Sequence, residues 1–139
     1  MKKNSRRKMP GDWPRVRIRI DFSSACAVGP GKIALLEAIA RVGSLSVAAR
    51  DLGMSYRRGW MLLSDLNNSF DRPVVTTAVG GLRGGGAQVT EFGQALVRGF
   101  RGLELAARKL ADRHMSIVRL TPGRRATTRT RRLSRKSRA

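Results

Sequence analysis

The sequence predicts a mainly α-helical domain with a small β wing. Three observations predict it: apolar residues recur at helical spacing in four segments, glycine or hydroxyl residues stand at the ends of those segments, and one β-branched stretch is interrupted by glycines. A chain of 139 residues has the usual size of one such domain.

Positive charge is concentrated at the two ends of the chain, whose formal net charge is +20. Residues 1–19 contain eight Lys/Arg and one Asp, residues 20–118 contain twelve against eight acids, and residues 119–139 contain nine and no acid. We therefore predict a basic disordered arm over residues 1–14, a folded domain over 15–118 and a basic disordered tail over 119–139. Such arms favour polyanionic partners, most commonly phosphate backbones.

Several classes of protein are excluded by what the sequence does not contain. No apolar run approaches the ~20 residues that a membrane-spanning helix needs, and arginines interrupt any signal-peptide core, so we expect a cytoplasmic location. Because Cys26 is the single cysteine, an intramolecular disulfide and a cysteine-cluster metal site are excluded. His114, the sole histidine, is expected at the surface. No catalytic constellation is present, so we predict no enzyme, no metal and no cofactor.

Strict alternation of charged and apolar residues marks the start of the folded domain. In residues 15–22, RVRIRIDF, every second residue is apolar, which predicts a half-buried β-strand. The arginine face has two open interpretations: contact with phosphates, or a solvated edge strand that charge protects from aggregation. Residues 32–43 then predict a core-building helix that ends at Gly43.

Residues 43–70 predict two short helices that are separated at Gly53. Ser46 and Ser55 are suitable N-caps for the first and second helix, and glycine permits the left-handed backbone of a sharp turn. The second helix begins with the outward-facing residues Tyr56, Arg57 and Arg58. This is the layout of a helix-turn-helix, whose second helix enters the DNA major groove. The alternative is an ordinary helical hairpin with a solvated basic end.

A glycine-rich hairpin follows the predicted recognition helix. Val74 and Val75 begin an extended run, glycines interrupt it, and extended character resumes at Ala87. A hairpin in this position is the wing of a winged helix-turn-helix, with residues 80–87 at its tip. A nucleotide-binding loop is the competing interpretation, and we reject it because the required Gly-Lys-Ser/Thr ending is missing.

The last predicted element is a long helix over residues 91–118, capped by Thr90. Its length of ~42 Å exceeds what one small domain needs. The apolar stripe therefore predicts a dimerisation helix that packs against a second copy of the chain. The predicted interface residues are Phe92, Leu96, Phe100, Leu103 and Leu110.

Two runs of the sequence resemble a known family: GPGKIALLEAIARVGSLSVAARDLGMSYRRGW and TAVGGLRGGGAQVTEFGQAL. They are similar to the N-terminal DNA-binding domain of molybdate-responsive, ModE-type transcriptional regulators, which is related to LysR-type winged helices. The resemblance covers roughly residues 15–118, and MSYRRGW and GGLRGGGAQVT are its most specific parts. It implies that the residues on or beside DNA are Ser55, Tyr56, Arg57, Arg58, Trp60, Arg83, Gly84 and Gly85.

The sequence thus predicts a homodimeric DNA-binding transcriptional regulator. We expect it to recognise a two-fold symmetric operator with helix 55–70 and the wing 80–87, and to associate with the nucleoid. The alternative is a nucleoid-associated or RNA-binding protein that acts mainly through its basic arms. By this resemblance, full-length members of the family have C-terminal molybdate-binding modules, and the 139 residues contain none, so no small-molecule effector is evident and the effector is unknown or absent.

Overall fold

The structure, a computed structural model, describes residues 15–78 and 86–118. In chain order the elements are β1 Ile20–Asp21, β2 Ala27–Val28, α1 Pro30–Val42, α2 Leu45–Asp51, α3 Tyr56–Ser69, β3 Val75–Thr77, β4 Ala87–Val89 and α4 Glu91–His114. The predicted fold class, mainly α with a small β wing, is confirmed. Both predicted arms and most of the predicted wing tip lie outside the described residues.

The first hairpin is shorter than the alternating sequence predicts. β1 pairs antiparallel with β2 through only two residue pairs, Ile20 with Val28 and Asp21 with Ala27. The side chains from Arg15 to Ile20 do alternate between exposed and half-buried. The strand predicted over residues 15–22 is too long, because β2 has only two residues and cannot pair with the backbone of residues 15–19.

Helix α1 forms the centre of the domain. It begins at Pro30, whose ring presets the backbone angle of a first helical turn, two residues before the predicted start. Gly43 ends it as predicted, with a φ of 69° and its N–H donating to the Ile39 carbonyl at 2.8 Å. The core that surrounds it comes from every part of the fold and includes Ile33, Leu36, Ile39, Leu66, Val74, Val75, Val89 and Phe100.

Helix α4 packs its N-terminal half on this core. The Thr90 hydroxyl accepts from the Gly93 N–H at 3.0 Å, which confirms Thr90 as the cap. The helix ends at His114, four residues before the predicted end, and Met115 is its C-cap.

The predicted interface residues on α4 fall into two groups, those that pack on the core and those that are exposed. Phe100 is 3% exposed inside the core of its own chain, and Phe92 and Leu96 are half-buried against the same core. Leu103 and Leu110 remain 44% and 51% exposed. Because a side chain buried in its own subunit has no surface left for a partner, Phe100 is removed from the predicted interface.

Candidate nucleic-acid interface

Helix α2 is capped by Ser44, two residues before the predicted cap Ser46. The Ser44 hydroxyl accepts from the Val47 N–H at 3.3 Å, so Ser44 is the cap in place of Ser46. Ser46 already lies inside the first turn, where its hydroxyl is 3.1 Å from that of Ser44. Both serines are residue types that are preferred at an N-cap. Ser44 takes this position because α1 ends at Gly43, directly before it.

Two glycines, one in the turn and one inside α3, allow the close approach of α2 and α3. Gly53 has a φ of 68°, as predicted, and its N–H donates to the Arg50 carbonyl at 3.0 Å. Gly59 lies where the two helices meet, and a β-carbon there would be 3.0 Å from the Ala49 β-carbon. The absence of that carbon lets α3 cross α2 closely, which places the start of α3 on the outside of the domain.

Ser55 caps α3, as predicted. Its hydroxyl accepts from the Arg58 N–H at 3.2 Å. The following residues Tyr56, Arg57 and Arg58 are all exposed, and the first turn contains no acid. The positive end of the helix dipole and two arginine side chains therefore lie together at one exposed helix end, where they favour an anionic partner.

The exposed surface of α3 has three strips, as follows from about 3.6 residues per turn. Arg57 and Met61 lie opposite the buried positions, Tyr56 and Trp60 lie on the side of the hairpin, and Arg58 lies on the other side. Tyr56, Trp60 and Met61 are 57%, 54% and 52% exposed. Met61 was not predicted as a site residue. Its place on the same strip as Arg57, four positions on, was the signal available in the sequence.

The hairpin β3–β4 is attached firmly to α3 and α1. Thr76 faces Gln88 in its antiparallel ladder, and the Ala87 N–H donates to the Gly43 carbonyl at 2.9 Å. The Asn67 side chain on α3 accepts from the Val74 N–H at 2.9 Å. Ala87 is buried within β4, so the predicted tip 80–87 is too long at its C-terminal end.

A groove of about 570 Å³ separates α3 from the hairpin. Its walls are aromatic and polar, and none of the described residues that line it is acidic; they include Tyr56, Trp60, Ser64, Asn68 and Thr77. A phosphate backbone would therefore meet hydrogen-bond donors there without local repulsion from a carboxylate.

The remaining predicted site residues, Arg83, Gly84 and Gly85, lie outside the described residues. Within residues 15–78 and 86–118, no group of three or more His, Cys, Asp and Glu side chains could hold a metal ion. In the same part of the chain no helix is both long and apolar enough to cross a membrane.

These features define a class: a small α-helical domain in which a tight two-helix unit presents a basic helix end beside a β hairpin. No protein-family model matches the chain. The chain is 51% identical over 92 residues to the molybdenum-pterin-binding protein MopA of Rhodobacter capsulatus. These residues make up 66% of this chain and 35% of that protein.

Two further relatives have names that include ModE. The chain is 36% identical over 97 residues to the molybdenum transport protein ModE of Azotobacter vinelandii, covering 70% of this chain and 36% of that protein. It is 41% identical over 69 residues to the DNA-binding transcriptional dual regulator ModE of Escherichia coli, covering 50% of this chain and 26% of that protein. The chain is thus related to the ModE and Mop proteins, and it spans about a third of the length of these curated relatives or less.

Proposed function

We propose that the chain is a DNA-binding transcriptional regulator in which α2, α3 and the hairpin act as a winged helix-turn-helix. The observation that supports this most is the Ser55 cap, which holds Arg57 and Arg58 at the exposed start of α3. The E. coli relative is named a DNA-binding transcriptional regulator, which agrees with the proposal.

The chemistry of the α3 surface suits the major groove. That groove admits an α-helix, and arginine is the side chain that most often pairs with guanine, through two hydrogen bonds. In this arrangement Arg57 contacts a base edge, while Arg58 and the predicted wing residue Arg83 contact flanking phosphates. Tyr56 and Ser64 then face the backbone that enters the groove between α3 and the hairpin.

Two copies of the chain act together in this proposal. Leu103 and Leu110 leave an apolar strip on α4 beyond the end of the core, and a partner helix would cover it. A two-fold dimer of this kind recognises two half-sites about 34 Å apart, or a multiple of that spacing.

The decisive experiment selects bound fragments from genomic DNA and then measures affinity for the selected site and for random duplex. A good arginine–guanine pair contributes about 1–3 kcal/mol of discrimination, so Arg57→Ala should lower the operator affinity by one to two orders of magnitude. Arg58→Ala should weaken binding to both duplexes. Arg113→Ala removes the same charge from the end of α4 and is the matched control. Wild-type affinity and specificity in both α3 variants would refute the proposal.

The name of the Rhodobacter relative introduces a second candidate, binding of a molybdenum compound. A ligand that binds the folded state raises its stability by mass action. We expect millimolar molybdate or tungstate to leave the Tm of the 139-residue chain unchanged. A saturable rise in Tm would favour the second candidate.

A further inference from the structure

Two large apolar side chains stand on the outer surface of α3. Trp60 is 54% exposed and Met61 is 52% exposed, in a helix whose leucines Leu62, Leu63 and Leu66 are wholly or partly buried. Contacts with phosphates explain the arginines of the preceding turn and give no reason for an exposed indole and thioether. These two side chains therefore indicate an apolar partner group at this point of the surface.

The positions of the two residues say where that group lies. Met61 follows Arg57 by four residues on the strip opposite the core, which is about 6 Å further along the helix axis. Trp60 lies beside this strip and lines the groove that faces the hairpin. If Arg57 contacts a base edge, the neighbouring base edges are within reach of Met61 and Trp60.

Among the base edges that the major groove displays, the 5-methyl group of thymine is the apolar one. We propose that Met61 and Trp60 select thymine by packing on this methyl group, next to the base that Arg57 contacts. The inference rests on the proposed function, and it makes this pair a specificity determinant in addition to the arginines. A half-site would then combine a guanine with one or two adjacent thymines.

Replacement of thymine by deoxyuridine tests this proposal, because it removes the methyl group and leaves base pairing intact. Each thymine of the selected half-site is replaced in turn, and the affinity of the wild-type protein is measured. At a covered methyl group we expect a loss of about fourfold, which corresponds to one buried methylene-sized group. Replacements outside the contacted bases should have no effect.

Three variants assign the effect to the side chains. Met61→Gln keeps the length and the helical preference of the side chain but not its apolar end, and Trp60→Ala removes the indole. Each should bind the thymine and the deoxyuridine duplex equally at the position that it contacts. Arg57→Ala, the matched control, should bind more weakly and keep the preference for thymine. Both apolar residues are exposed, so thermal unfolding of the variants should match that of the wild type.

The outcomes separate this inference from the proposed function. A wild-type protein that prefers its operator over random duplex but binds thymine and deoxyuridine forms equally overturns the inference alone. Full sensitivity to deoxyuridine in both the Met61 and the Trp60 variant also overturns it. A protein without preference for any site overturns the proposed function and this inference with it.

Discussion

The side-chain amide of Asn67 is bonded to both backbone groups of Val75: it donates to the Val75 carbonyl at 2.9 Å and accepts from the Val75 N–H at 3.2 Å. The same oxygen accepts from the Val74 N–H. One residue on α3 thereby sets the position of the first strand of the hairpin. If the hairpin is the wing, Asn67 determines where the wing stands relative to the recognition helix.

We predict that Asn67→Ala lowers the free energy of unfolding by about 1–3 kcal/mol, because Val74 and Val75 are buried and their backbone groups would lose a partner. Urea unfolding measures the change. Asn68→Ala is the control, since this exposed neighbour bonds only to the Ser64 hydroxyl in the described part of the chain. Equal stability of the two variants would contradict the role given to Asn67.

Gly93 should tolerate no side chain. A β-carbon there would overlap the Val74 carbonyl oxygen and would lie 2.8 Å from a methyl carbon of Val89. Gly93→Ala should therefore destabilise the fold, although the same change in a helix interior ordinarily stabilises by about 1 kcal/mol. Gly102→Ala has open space around its β-carbon and should show that gain. Thermal unfolding of both variants decides this, and a stabilised Gly93→Ala would contradict the close contact of α4 with the hairpin.

Arg101 on α4 is bonded to both oxygens of Glu37 on α1, at 2.8 and 2.7 Å, and to Glu104 at 2.6 Å. The hydrogen bond from Arg101 lowers the pKa of Glu37 below its ordinary value of 4.5. A carboxyl whose pKa is lower in the folded state stabilises the fold above the unfolded pKa, and this contribution disappears as the pH falls through the folded pKa.

Glu37→Gln should therefore reduce stability at pH 7 and have little effect at pH 2. Because the Glu37 side chain is 39% exposed, solvent screening limits the loss at pH 7 to about 1 kcal/mol or less. Urea unfolding at the two pH values measures it. Asp71→Asn is the control, since its pair with Arg72 is more exposed. A loss in Glu37→Gln that is the same at both pH values would mean that charge is not its cause.

We predict that the chain is a dimer at micromolar concentration and that Leu103→Glu or Leu110→Glu gives folded monomers that bind DNA poorly. The physical reason is the cost of placing a carboxylate in an apolar helix contact. Sedimentation velocity gives the mass. Leu105→Glu is a matched control, because Leu105 is 55% exposed and lies on another side of α4. A wild-type monomer that protects a single half-site would exclude the dimer.

Deletion of residues 119–139 should flatten the salt dependence of DNA binding. This segment contains nine Lys/Arg, and the logarithm of affinity falls against the logarithm of salt with a slope near −0.9 for each phosphate that a cation neutralises. Affinity for operator and for random DNA should fall by similar factors, so their ratio should change little. Loss of discrimination with non-specific binding intact would instead make the segment a base-reading element.

Several helix boundaries were predictable from the sequence because they depend on local backbone chemistry, whereas the cap of α2 and the end of α4 were not. Gly43 and Gly53 adopt the left-handed conformation expected of them, and Ser55 and Thr90 cap the helices that follow. The exposed arginines at the start of α3 follow from the same rules, since the cap and the apolar stripe together define which residues face outward.

Other features were decided only by the tertiary structure. The strand at residues 20–21 is short because its partner is short, and Phe100 is buried because the core extends along α4 as far as that residue. Glu37 meets Arg101 across 64 positions of sequence, and Asn67 meets backbone groups seven and eight positions away, where the chain enters β3. Periodicity shows which face of an element is apolar, but the partner of a polar side chain depends on how the elements pack, which no local pattern contains.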